Sequence, residues 1–487
     1  MESSTINIRR TGTILKPDAS RVLLRPLIFP NEQRSLKIIA RIMLLSESEV
    51  FALLKEVLAE FSERHQQIRN LFLARFERVK NFLVTDREIS EERKLLIGSH
   101  FIQEYSLESA ALFNPSIVPH PDQSDLPPGA LRFILSLRAT GEGHISSLTF
   151  RTGTVDANHR IDIHKPTRYV TEPHQIPNAS YEKSLFERKL YELGFGGELA
   201  HRVIATLGES FTLVELRAAL GRSLKQQGGG RTIETDRVAR GMLLLVESNY
   251  EVQFEPDQRF SERVIFPSSP TQSNGIEDAR FVRFQNDDGT VTYYATYTAF
   301  DGKIVLPQLL ETQDFLRFKF ITLNGPAVQN KGMALFPRKI NEHYTMLSRQ
   351  DGENLYLMFS DNIHFWNTTQ MLMKPTFPWE FVQIGNCGSP IETEAGWLAL
   401  SHGVGAMRKY CIGAVLLDRD NPAKIIGRLS KPLIKPSEEE REGYVPNVVY
   451  TCGMLLHNDV LIIPYAMSDY STGFATIPLK EILAAME

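Results

Sequence analysis

The chain has 487 residues, of which 42% are hydrophobic and 23% charged, a composition that supports a sizeable core and excludes wholesale disorder. At about 150 residues per domain the length suggests roughly three domains, although repeat-built β folds carry 300 residues or more as one body. Lys+Arg 54 against Asp+Glu 58 leaves a net charge of −4, which excludes a global basic field for nucleic acid while leaving room for a local basic pocket.

The N-terminal stretch MESSTINIRRTGTILKPDASR lacks the apolar core of a secretory signal, and no apolar run reaches the ~20 residues of a membrane span. Cys387, Cys411 and Cys452 are too few for a disulfide framework or a paired CxxC zinc site, and they read as reduced thiols. A cytoplasmic protein without membrane or nucleic-acid partners is expected.

Residues 1–104 read as a helical region. Ser46 followed three residues later by Glu49 is a capping-box pattern, and Val50, Leu53, Leu54, Val57, Leu58 and Phe61 follow at helical spacing. Ile68, Leu71, Phe72, Phe76 and Val79 extend the stripe, as one long helix or two joined ones, and a further helix is predicted from Ser90. The stripe reads first as a packing face, and a partner subunit is a second candidate for what it packs on.

Between about 105 and 153, LRFILSLRATGEGHISSLTFRTG alternates like paired strands about a Gly-Glu-Gly turn. Helical periodicity returns in an insertion at about 175–250, in three segments. Gly228-Gly229-Gly230 lies within it, but no Lys-Ser/Thr follows, so the glycines read as a connector and not as a phosphate loop.

From 253 onward, alternating runs flank Asp288-Gly289, Asp351-Gly352, Gly396 and Asn458-Asp459. The wide spacing of these turns suits one hairpin per propeller blade better than a sandwich. A blade cannot bury both faces alone, so several must stack around an axis, and the central funnel becomes the natural ligand site. The insertion would then emerge near that funnel or at an interface.

The chemistry-bearing residues are few. Ser273–Arg280 gathers polar and charged groups directly before an apolar strand. Glu277 and Asp278 are adjacent, so in extended backbone they point to opposite faces, and only one can reach a given substrate bond. The plain alternative is a turn closed by a salt bridge to Arg280. Lys331 stands before the apolar run Met333–Phe336, and Arg349 and His402 follow the runs Met346-Leu347 and Leu398–Leu400. Converging on one pocket, two cations and a histidine suit an oxyanion such as phosphate; singly, each reads as a surface cation or a satisfied histidine. No histidine pair at i,i+4 and no His/Cys cluster supports a metal site.

These residues lie in blocks that resemble glycoside hydrolase family 130, the inverting β-mannoside phosphorylases and their hydrolytic relatives. The blocks are Phe113-Asn114-Pro115, NGIEDAR at 274–280, YYATYTAFDG at 293–302, NKGMALFPRKI at 330–340, SPIETEAGWLALSHGV at 389–404, YCIGAVLLDRDNP at 410–422, VPNVVYTCG at 445–453 and PYAMSDYSTGFA at 464–475. They cover about 105–153 and 253–485 in the family's order, leaving the N-terminal helices and the insertion outside.

The resemblance implies a mainly β protein: a five-bladed β-propeller catalytic domain at 105–487, preceded by the helical region at 1–104. It implies Asp278 as general acid, its proton reaching the glycosidic oxygen through the mannosyl 3-hydroxyl while phosphate attacks the opposite face to give α-mannose 1-phosphate. A raised Asp278 pKa is therefore expected. Lys331, Arg349, His402 and Tyr410 take the phosphate positions; Asn114, Arg138, Asn274, Glu277, Arg280, Asp301 and Asp469 take the sugar positions. Tyr297, Phe300 and Trp366 are candidates for an aromatic sugar platform, with core packing as the alternative for each.

Three departures matter. Gln383 stands where many phosphorylases have lysine, Ala279 replaces the motif proline, and Ser348 precedes Arg349 where histidine is usual. Loss of one lysine contact weakens phosphate binding by about 1–3 kcal/mol. Enough of the basic set survives to favour phosphorolysis, with β-1,2-linked manno-oligosaccharides as the preferred substrates. Inorganic phosphate is then the co-substrate, with no cofactor, and the helical additions are candidate surfaces for a homo-oligomer. The alternative is an inverting β-mannosidase, which would need a second carboxylate as base ~6.5–9.5 Å from the acid. Glu392 and Glu394 are the first positions to inspect for it. A third reading, a non-catalytic carbohydrate-binding propeller, is disfavoured by the intact Asp278 and basic set.

Overall fold

Alternating apolar residues between short turns make strands the dominant element of the computed structural model, which describes residues 6–85, 87–177, 179–226, 232–302 and 305–487. The fold is mainly β, and its helices concentrate in two stretches. The chain parts into two compact units: Asp18–Ser109 with Pro166–Thr171, and the remainder.

In the Asp18–Ser109 unit, Ser46 and Glu49 form the reciprocal capping box at the start of the helix Glu47–Phe61. The apolar stripe that follows is broken into two helices, because Gln67 takes left-handed backbone (φ 51) immediately before Ile68–Val79. Ser90 caps the helix Glu91–Ser99. A further helix, Glu32–Met43, begins at Asn31, whose side chain accepts from Gln33 N. The strand pair Val22–Pro26 and Ile102–Ser106 brings the unit's ends together, and the fully buried Arg21–Glu108 ion pair at 2.9 Å closes them.

Gly98 marks the closest approach in this unit, since a Cβ there would overlap the Phe72 carbonyl oxygen. Backbone cannot yield as a side-chain tip can. Gly98→Ala is therefore expected to cost about 1–3 kcal/mol, read as a lowered midpoint in denaturant unfolding; an unchanged midpoint would contradict this packing.

Among the described residues, the second unit holds an 11-stranded, a four-stranded, two five-stranded and one two-stranded sheet. Each predicted hairpin is present: Leu131–Thr140 with Ser146–Val155, Gly275–Gln285 with Val291–Phe300, Tyr344–Arg349 with Leu355–Ser360, Ile391–Thr393 with Gly396–Val404, and Leu455–His457 with Val460–Met467. The short strand Arg9–Arg10 pairs with the last strand, Ser471–Pro478, a pairing that the polar N-terminal sequence does not signal.

Among its described residues the insertion contains four helices, not three: Lys183–Glu192, Glu198–Ala205, Leu213–Gln226 and Ile233–Glu247. The missed one, of eight residues, is too short to show a period of its own. Phe186, Leu190, Val203, Leu216 and Met242 give the four a shared apolar core. Gly228-Gly229-Gly230 lies outside the described residues. Among the described residues, no helix is long and apolar enough to cross a membrane.

Tyr297 and Trp366 are core residues and not sugar platforms. The Tyr297 hydroxyl donates to Gln308 within a buried network with Gln272 and Tyr250. Trp366 Nε1 donates to Ile363 O at 2.7 Å. Phe300 is only partly buried, at the end of its strand.

Candidate active site

Three β-bulges build the site. They interrupt the pairing between Phe113 and Ser116, between Glu277 and Arg280, and between Lys331 and Ala334. A bulge inserts an unpaired residue and re-aims side chains that strict alternation would send to opposite faces. Asn114 (φ 47), Asp278 (φ 53) and Gly332 (φ 84) occupy these breaks in left-handed backbone.

The consequence overturns the expectation that Glu277 and Asp278 point apart. Arg138 Nη2 donates to Glu277 at 2.8 Å and its Nη1 to Asp278 at 3.3 Å, so one guanidinium engages both neighbours. Arg138 is itself oriented by its Nε bond to Ser146 Oγ (2.8 Å) and lies over the Phe113 ring. Asn114 Nδ2 donates to Asp278 Oδ1 at 2.6 Å. Arg280 donates from Nη1 to the Asp278 carbonyl (2.9 Å) and from Nη2 to the buried Tyr450 hydroxyl (2.6 Å).

The electrostatics also differ from expectation. Burial by itself would raise the Asp278 pKa. The charges of Arg138, Arg280 and Lys331, with the Asn114 hydrogen bond, outweigh it and hold the carboxyl at about 2. Asp469, also in left-handed backbone (φ 51), goes the other way. Burial and the Asp278 charge push it up to about 6, against the pull of Arg138 and Arg408.

Lys331 links this cluster to a second one. Its Nζ lies 3.9 Å from Glu277, and its backbone pairs in register with Arg349. Arg349 fits over two glycines: a Cβ on Gly332 would lie 2.9 Å from its Nε, and one on Gly385 would collide with its Cδ and with the His402 ring. Arg349 Nη1 and His402 Nε2 are 3.5 Å apart, and the other imidazole nitrogen, Nδ1, is 3.2 Å from Asn386 O. Burial, then the Arg349 charge, hold the His402 pKa well below its usual value, so the ring is neutral. It stacks on Tyr410 at 5.8 Å and meets Tyr450 edge-on at 5.1 Å. Arg349 Nε–H is buried with no acceptor among the described residues. A buried, charged donor left open in this way suits an anion.

Asn274 is exposed, and its backbone N–H donates to Phe300 O at the end of the hairpin. Asp301 follows at the same hairpin end and is half-buried. Gln383 begins the strand that carries Gly385 and Asn386 alongside His402. The positions proposed for a hydrolytic base are occupied otherwise. Glu392 is gripped by Arg338 (2.6 and 2.8 Å) and Arg419 (2.9 Å), which lower its pKa and occupy its oxygens. Glu394 is exposed on a turn.

Tyr450, Asn386, Gly332 and Gly385 were not singled out by the sequence. Tyr450 had a signal, since it sits inside the VPNVVYTCG block; the glycines matter only through the space they leave. Among the described residues, no group of His, Cys, Asp and Glu is arranged to hold a metal ion.

The family model described as beta-1,4-mannooligosaccharide phosphorylase, glycoside hydrolase family 130, matches residues 233–487. Over 232 residues the chain is 34% identical to a 1,2-beta-oligomannan phosphorylase of Thermoanaerobacter sp. strain X514, covering 46% of this chain and 75% of the relative. A Beta-1,2-mannobiose phosphorylase of the same organism is 33% identical over 232 residues (46% and 74%). A Beta-1,2-mannobiose phosphorylase of Listeria innocua is 29% identical over 230 residues (46% and 63%).

Proposed function

The chain belongs to glycoside hydrolase family 130, and from that premise we propose that it is a β-mannoside phosphorylase that prefers β-1,2-linked manno-oligosaccharides. The observation that carries the phosphorolytic reading is the open Arg349 Nε–H beside neutral His402, joined through Lys331 to the Asp278 cluster. Lys331, Arg349, His402 and Tyr410 hold inorganic phosphate. Asn114, Arg138, Asn274, Glu277, Arg280, Asp301 and Asp469 hold the transferred mannosyl unit.

Asp278 is the general acid. Its proton passes through the mannosyl 3-hydroxyl to the glycosidic oxygen as the C1–O bond breaks, and a phosphate oxygen forms the new bond to C1 from the opposite face. The product is α-mannose 1-phosphate, with inversion. Phosphate is already an anionic nucleophile, so a single carboxylic acid suffices and no second carboxylate is needed as base.

An acid held near 2 is ill-suited to donate a proton, but the charge of Asp278 acts on Asp469. Asp469 therefore keeps a proton up to about 6 while Asp278 is ionised above about 2, and we infer that the Asp469 proton is the one that recharges the acid. Activity that needs this proton falls as pH rises through about 6. Asp469→Asn removes the upper step, so the falling limb of kcat/KM for mannobiose, measured at saturating phosphate, is expected to move to lower pH. A limb that stays in place would remove Asp469 from this role.

Incubation with β-1,2- and β-1,4-mannobiose, with and without phosphate, tests the function directly. Phosphate-dependent formation of mannose 1-phosphate is expected, and phosphate-independent release of free mannose would overturn it. We also infer a five-bladed propeller, because the 11-stranded sheet divides into two meanders on either side of a single parallel contact, Ser146 with Gly275. Two blades there and the three sheets of four or five strands make five, the two-stranded sheet Ser180–Glu182 with Ser210–Thr212 belonging to the insertion. The helices before and within the propeller are additions that offer an oligomer surface, and three unpaired buried thiols fit a reducing cytoplasm.

A further inference from the structure

Two loops beside the site carry aromatic rings that the mechanism above does not use. The hairpin bearing Arg138 closes through 141–145, where Gly143 (φ 67) and His144 (φ 59) take left-handed backbone and His144 is left exposed. Tyr444 lies on the loop leading to the strand of Tyr450 and is 53% exposed. The Tyr444 hydroxyl and His144 Nδ1 are 3.2 Å apart; the ring centroids are 5.6 Å apart and the planes 34° from parallel.

Each ring is a short step from a sugar-binding candidate. His144 is on the turn between Arg138 and its Ser146 partner. Beside Tyr444, Val445 N donates to Ser468 O at 2.9 Å, and a Cβ on Gly443 would lie 2.5 Å from that same oxygen. The Tyr444 loop is therefore pressed against Ser468-Asp469, whose carboxyl feels Asp278 and Arg138.

The loop is also braced from behind. Glu440 accepts from Arg10 Nε (2.9 Å) and Nη2 (3.1 Å) and from the Tyr465 hydroxyl (2.5 Å), while its carbonyl accepts from Ser468 Oγ (2.7 Å). Arg10 belongs to the N-terminal strand paired with Ser471–Pro478. An exposed ring would ordinarily lose freedom on binding; here that freedom is already reduced. A phenol offers a flat apolar face and a polar edge, which matches the C–H face and hydroxyl rim of a pyranose.

We propose that Tyr444, braced by His144, is the platform for the sugar ring next to the transferred mannosyl unit, the ring that departs with the glycosidic oxygen. The inference rests on the mannoside reading above and adds the residue that recognises the acceptor. In the direction of synthesis, mannose 1-phosphate occupies the inner site while the acceptor sugar meets Tyr444, so the two KM values separate.

Tyr444→Ala is expected to raise the KM for a mannobiose acceptor about tenfold or more and to leave the KM for α-mannose 1-phosphate within about twofold; Tyr444→Phe, which keeps the ring, should restore acceptor binding. An unchanged acceptor KM, or an equal rise in both constants, would overturn the platform. Calorimetric titration with β-1,2-mannotriose in the absence of phosphate separates the two levels. If the wild type shows no phosphorolysis yet binds the trisaccharide, the proposed reaction fails, while about tenfold weaker binding by Tyr444→Ala sustains the platform and equal binding overturns it. No binding by the wild type overturns both.

Discussion

Asp278→Asn lowers kcat for mannobiose phosphorolysis by about 10²–10⁴-fold, the usual worth of a positioned general acid. The amide keeps the shape and can still meet Asn114 and Arg138, but it carries no acidic proton for the leaving oxygen. The same change has a stability cost that must be kept apart from the kinetic one. Because the folded carboxyl is held at about 2, below its ordinary value, its charge stabilises the native state above the unfolded pKa of about 4, and this contribution is lost as pH falls through about 2. The shift corresponds to about 2 kcal/mol, lost at neutral pH in the variant. Assay well below the thermal midpoint, with circular dichroism on the same sample, keeps folded protein in the cuvette. Residual activity within tenfold of the wild type would remove Asp278 from the acid role.

Arg349→Ala raises the KM for phosphate by about 10–100-fold, the equivalent of a charge-assisted hydrogen bond of about 1.5–3 kcal/mol, with a smaller effect on mannoside binding. Its pH dependence carries a signature. Burial is the main cause of the low His402 pKa, and Arg349 is the next; removing Arg349 raises it. Burial, the larger cause, remains, so His402 stays neutral and does not replace the missing cation; the defect should persist when the assay pH is lowered. Gly385→Ala is the companion test, because it keeps every charge and crowds Arg349 and His402 with one methyl group. It should weaken phosphate use in the same direction. An unchanged phosphate KM in Arg349→Ala would mean that the anion binds elsewhere.

The hairpins were legible because their signal is local. Alternation at period two and a turn residue such as Asp288-Gly289 specify a strand pair without reference to distant chain. Helical stripes and the Ser46 cap were legible for the same reason, whereas Glu198–Ala205 was too short and Arg9–Arg10 too polar to announce themselves. The site was legible as a set of residues but not as an arrangement. Alternation sent Glu277 and Asp278 to opposite faces, and the bulge between Glu277 and Arg280 defeats that rule.

By itself, then, the sequence determined a mainly β chain with helical additions, and it determined which side chains could carry acid and anion chemistry. Tertiary structure decided what those groups are in place. Asn114 reaches Asp278 across 164 residues of sequence, and Arg138 reaches it across 140, so the ionisation of the acid depends on partners that no local window contains. The same holds for Arg349, whose open Nε–H exists because two glycines leave room for it while His402 takes another of its nitrogens. Local periodicity sets which elements form; the field and the free space at a site are sums over residues that only folding brings together.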